Sequence, residues 1–214
     1  MAKSSKVQKT RDSSAEALKT VYYVIIAIAI TEALSRVLLK NGTFLGWREI
    51  FMINNQSAFW LFFAFLCTIC RFIHGASIHL DVIRKERYKP LIDCIGFYLQ
   101  AIFFYLMAVT LQEPSKFSFS FILMLVCDTG WLLILRDIFK YIPLNNKVCK
   151  QWLKSNKWLI AIFILLYLFS HSMFQYHCSL ALLTLSWSIC ISIAAIIATF
   201  FDYRTNKNFY FPEQ

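Results

Sequence analysis

Six apolar blocks of roughly 18 to 24 residues, joined by short polar connections, leave this chain few ways to bury its surface. Each is the length an α-helix needs to cross a hydrocarbon core about 30 Å thick. Inside such a core every backbone N–H and C=O must be bonded within its own segment, which a helix does and an open strand does not. The spacing therefore predicts an all-α integral membrane protein, a six-transmembrane-helix bundle. Its spans fall at about 21–39, 58–81, 91–111, 117–141, 158–176 and 180–203. Composition agrees: 58% of residues are hydrophobic and only 16% charged, where a soluble domain carries about a quarter charged. Residues 1–20 read as a basic cytoplasmic tail, 21–203 as the membrane domain and 204–214 as a short cytoplasmic tail. No small-residue cleavage signature follows the first apolar run, so it reads as a retained anchor.

A net charge of +10 raises the question of nucleic acid, and its distribution answers it. Placing the amino terminus inside puts Lys3, Lys6, Lys9, Arg11 and Lys19 on the cytoplasmic side. The basic residues of 84–89 and of 136–157, with Arg204 and Lys207, join them. Only Lys40, Arg48 and Lys116 fall outside. That is the positive-inside pattern of a cell-membrane protein with both termini cytoplasmic, and the nucleic-acid reading falls with it. Between spans four and five, Lys147, Lys150, Lys154 and Lys157 share one arc, with Val148, Trp152 and Leu153 opposite. This is an amphipathic interfacial helix presenting lysines to anionic headgroups of the bilayer, an ordinary basic loop, or a docking face for a cytoplasmic partner protein. The seven cysteines lie mostly within spans, where they behave as small apolar residues and form no disulfide framework.

The residues that carry chemistry are those costly to hold in lipid. At ~1.5 Å per residue, Glu32 lies roughly 16 Å from the inner end of span one, and Asp128 a similar distance from the outer end of span four. Arg71 lies about 20 Å from the outer end of span two. Glu32, Arg71 and Asp128 are thus expected to meet near the midplane, with Arg36 pairing to Glu32 at i+4. Such a cluster either fixes helix packing or lines a polar path.

A second group, His74, His79, Asp81 and Asp93, gathers at the inner face. The i, i+5, i+7 spacing on span two does not put all three of its members on one helical face, and no HExxH is present. His171 and His177 lie at the opposite face, the wrong depth to share a haem with His74 or His79. Cys67 and Cys70 form a CxxC without a second pair. No metal or cofactor is implied, and no catalytic residue is assigned. None of the four prolines falls inside a span, which argues against an alternating-access transporter built on broken helices.

The leading expectation is a channel-like protein for ion or solute permeation, assembled as a homo-oligomer or with a partner. The alternatives are a non-catalytic membrane subunit docking a cytoplasmic partner through its basic loops, and a membrane-embedded enzyme acting on a lipidic substrate with His74, His79 and Asp81.

Overall fold

The computed structural model describes residues 2–40, 43–50, 52–83, 90–138, 146–174 and 180–211. The basic residues at 84–89, the connection 139–145, and His177 with Cys178 lie outside these. The described chain is helical apart from one two-residue hairpin. In order come α1 (Ala2–Leu38), β1 (Leu39–Lys40), β2 (Thr43–Phe44), α2 (Trp47–Ile50), α3 (Ile53–Ile83), α4 (Pro90–Val109) and α5 (Pro114–Leu133). A π-turn over Ile134–Ile138 ends α5, and α6 (Asn146–Phe174), α7 (Leu180–Thr205) and α8 (Lys207–Tyr210) complete the fold.

Five of these helices are long and apolar enough to cross a membrane, over Asp12–Leu38, Asn55–Asp81, Leu91–Val109, Pro114–Arg136 and Leu182–Thr205. The expected span at 158–176 is the second half of α6. Over the described residues that helix is not among the five.

Two helices are longer than the sequence suggests. α1 does not start at Val21 but runs from Ala2, for residues 2–20 contain neither Gly nor Pro. Its buried stripe of Ala15, Leu18, Tyr22, Ile26, Ala29, Ala33 and Val37 recurs every three or four residues across the expected boundary. The alanines let neighbouring backbones approach closely. Likewise the amphipathic segment before span five is no separate interfacial helix. Lys150, Lys154 and Lys157 are exposed on the first turns of α6 itself, while Val148, Cys149, Leu153 and Asn156 face the bundle.

Contacts fix the direction of each helix. α3 and α7 run parallel, joined by hydroxyls at steadily advancing positions. Ser188 meets Ser57 at 2.5 Å, and Ser192 donates to the Trp60 carbonyl. Thr199 donates to the Cys67 carbonyl (3.3 Å) and Tyr203 to that of Cys70 (3.4 Å). α6 is antiparallel to α5, with Phe163 against Phe121 and Asn156 against Asp128. It is also antiparallel to α7, with Tyr167 against Trp187 and Trp152 against Asp202. α1 follows α4, Tyr22 meeting Gln100 and the Arg36 carbonyl meeting Gln112. So α1, α4 and α6 point one way and α3, α5 and α7 the other. Both ends of the described chain come to one end of the bundle, here the terminal end, and the β-hairpin marks the opposite hairpin end.

Between the two ends the interior is filled. Phe65, Phe104, Phe117, Phe121, Phe163, Met107, Met124 and Leu61 are all essentially inaccessible. Phe104 receives the edges of both Phe65 and Phe72, the geometry aromatic quadrupoles favour.

Candidate functional site

Directly on the terminal side of this aromatic block, one hydrogen-bonded chain crosses the bundle. On α1, Tyr22 points its hydroxyl at Gln100 of α4 (3.5 Å). Gln100 Nε2 donates to Asp128 Oδ1 on α5 at 2.6 Å, and Asn156 Nδ2 on α6 donates to Asp128 Oδ2 at 2.6 Å. The other end of the Asn156 amide accepts from Arg71 Nη2 on α3 at 3.1 Å. Arg71 Nε faces Asp202 Oδ2 on α7 at 3.6 Å. Asp202 also accepts from Trp152 Nε1 (2.9 Å), Asn206 Nδ2 (2.6 Å) and the Tyr210 hydroxyl (2.7 Å). Each long helix supplies at least one member, and none of Arg71, Asp128, Asn156 or Asp202 is more than 6% exposed.

The two carboxylates are held differently. Asp202 lies against Arg71 and receives three neutral donors as well, which fills the roughly four acceptor positions of a carboxylate. Asp128 receives two amide donors and, among the described residues, no cation within ion-pair distance. Arg71 reaches it only through Asn156. A buried charge without a contacting counter-charge is costly, so Asp128 is the group in this chain whose surroundings ask for something more.

Beside the chain, towards the terminal end, lies a half-open cavity of about 30 Å³, room for one or two water molecules. Arg71, Gln100, Asp128, Asp202 and His79 supply its polar wall. Phe72, Phe97, Trp131, Trp152 and Tyr210 supply the aromatic one. Two glycines shape it. A Cβ on Gly96 would lie 2.5 Å from Trp131 Cδ1, so only glycine lets that indole lie on α4. A Cβ on Gly75 would stand 3.3 Å from the Trp152 ring. The indole N–H groups of Trp131 and Trp187 are buried without an acceptor among the described residues.

α8 folds the chain end back over this region. Tyr210, bonded to Asp202, packs its ring at a tilt against Tyr203 (4.5 Å between centroids) and His74 (4.8 Å). Burial, and then the charge of Asp202, push the Tyr210 phenol well above its ordinary value of 10.0, so it stays a neutral donor.

The expected groupings are placed as follows. Arg71 and Asp128 share one network through Asn156. Glu32 pairs with Arg36 at 2.7 Å and is not joined to Arg71 by any ion pair among the described residues. It is Tyr22, ten residues and about 15 Å away along α1, that stands level with Asp128. The inner-face group divides into separate contacts. His79 faces Asp93 at 3.5 Å, His74 faces the Tyr203 hydroxyl at 3.2 Å, and Asp81 faces Lys19 at 3.4 Å. Among the described residues no three His, Cys, Asp or Glu side chains converge as a metal site would require. Lys147 lies in α6 with Lys150, Lys154 and Lys157, the last three exposed.

Sequence reasoning left Asn156, Asp202, Trp152 and Tyr210 out of the site. Asn156 falls in what reads as a loop, and Asp202 at the rim of its span, where a carboxylate is expected to meet water. The available signal was the helical arc opposite the lysines, which carries Asn156 and Trp152 together. No family model, no curated protein and no solved structure matches this chain.

Proposed function

We propose that the chain is a six-span membrane protein with both termini cytoplasmic, and that it works as a binding subunit through the cavity at its terminal end. One observation carries the functional half of this reading. Among the described residues the charged and amide network and the cavity lie at that end, and the rest of the interior is packed with Phe, Met and Leu side chains and with serines such as Ser57, Ser118, Ser188 and Ser192 that bond to one another or to backbone carbonyls. A conduit through one chain needs water or polar groups along its length. We therefore prefer to permeation through a single chain a membrane subunit that recognises a ligand on one face.

Three features support six crossings. α6 lies antiparallel to both α5 and α7 along its length. Its second half exposes Trp158, Ile162, Leu165 and Leu168, as a lipid-facing surface does. The parallel course of α3 and α7 needs an even step between them. Lys154 and Lys157 are exposed beside Asn156, so the network fits the cytoplasmic boundary of a cell membrane better than its midplane. There the lysines meet anionic headgroups.

The test is thiol accessibility. Ala76 lines the cavity on α3, and Ala76→Cys in a background without the native cysteines is probed with a charged, membrane-impermeant reagent in sealed vesicles of known orientation. Labelling from the face bearing the termini only is expected. Labelling from the opposite face, or from neither, overturns the reading.

A further inference from the structure

The geometry points to a primary ammonium group as the ligand of the cavity beside Asp128, an inference that rests on the cavity being a binding site. Four observations converge on that chemistry. Asp128 is 6% exposed, lines the cavity and has no contacting cation among the described residues. Each of its carboxylate oxygens takes one amide donor, leaving about two acceptor positions free.

Neither basic group of the wall contacts Asp128. Arg71 faces Asp202, whose acceptor positions are filled by Trp152, Asn206 and Tyr210. His79, the other basic group on the wall, turns Nε2 to Asp93. Asp128 is therefore the carboxylate of the wall that no cation contacts among the described residues.

The walls are aromatic, and Trp, Tyr and Phe faces attract cations desolvated against them. Trp131 of α5 and Trp152 of α6 both line the cavity. Size selects among cations: about 30 Å³ accepts a head the size of one or two waters. An –NH3⁺ group fits and brings three donors, whereas a trimethylammonium head has no N–H to donate. An alkali cation would gain little from the apolar walls. The amine has two sources at this level of the bundle, the ethanolamine headgroup of a lipid or a small soluble amine.

The 214-residue chain in phosphatidylcholine nanodiscs is titrated with methylammonium, following tryptophan fluorescence. A saturable change is expected, absent with tetramethylammonium and with sodium, and about tenfold or more weaker in Asp128→Asn, where a direct charge contact is lost. Should Asp128→Asn fail to fold, Gly75→Ala serves, because its methyl would stand 3.3 Å from the Trp152 ring in the cavity wall and is expected to weaken the response. Repeating the titration with phosphatidylethanolamine present separates the sources. Suppression of the response assigns the site to the headgroup, and an unchanged response to a soluble amine. No methylammonium response, an equal response to sodium or tetramethylammonium, or a response unchanged in both variants overturns the proposal. Because Ala76→Cys labelling reads the cavity independently of any ligand, an ammonium failure with labelling intact leaves the binding-subunit reading standing.

Discussion

A single amide does most to organise this interior. Asn156 accepts from Arg71 and donates to Asp128 with the two ends of one side chain. It links a cation and an anion on different helices without letting them touch. Replacing it leaves a guanidinium donor and a carboxylate acceptor buried and unsatisfied, a larger loss than that of a neutral hydrogen bond. Asn156→Ala is expected to lower stability by about 3 kcal/mol in thermal or denaturant unfolding of the solubilised protein. The exposed Lys19–Asp81 pair sets the contrast, since Asp81→Asn should cost less than about 1 kcal/mol. Equal effects of the two substitutions would show that the network does not hold the helices together. From the sequence, Arg71 and Asp128 stand out because charge in an apolar run is conspicuous. Asn156 does not, because an amide among lysines looks like a loop residue.

Among the elements, α8 shows how a short segment acquires a role from its seat. Four residues make no stable helix alone. Tyr210 gains its place from the bond to Asp202 and from the rings of Tyr203 and His74. Since burial suppresses its ionisation, the folded chain keeps a proton that the unfolded chain gives up near the ordinary value of 10.0. The stabilisation is therefore complete below that pH and is lost as pH climbs towards the folded value. Thermal unfolding at about pH 9 and about pH 11 should show a larger alkaline loss for the native chain than for Tyr210→Phe. α6 makes the complementary point. Its lysines and its apolar run read as two segments, yet no Gly or Pro separates them, and the chain continues as one helix.

Taken as a whole, the molecule is polar at one end and solid through the rest. Proteoliposomes containing the purified chain are expected to pass ions and protons no faster than empty liposomes, because Phe104 and Phe121 with their ring partners fill the described interior. Flux above that background, altered by Arg71→Gln, would return the chain to the permeation class.

Helical class and long apolar spans were legible in the sequence, because lipid-length runs without internal proline permit little else. So was the local Glu32–Arg36 pair, which needs only helical periodicity. Depth counting failed where it assumed that every helix ends at the same plane. α1 and α6 begin well before their apolar runs, so Tyr22 rather than Glu32 comes level with Asp128, and Asn156 and Asp202 come level with Arg71. By itself the sequence determined which residues are too expensive to leave alone in an apolar setting. Only the tertiary structure decided their partners, because the vertical offset between helices is set by side-chain packing across them and is written in no one segment.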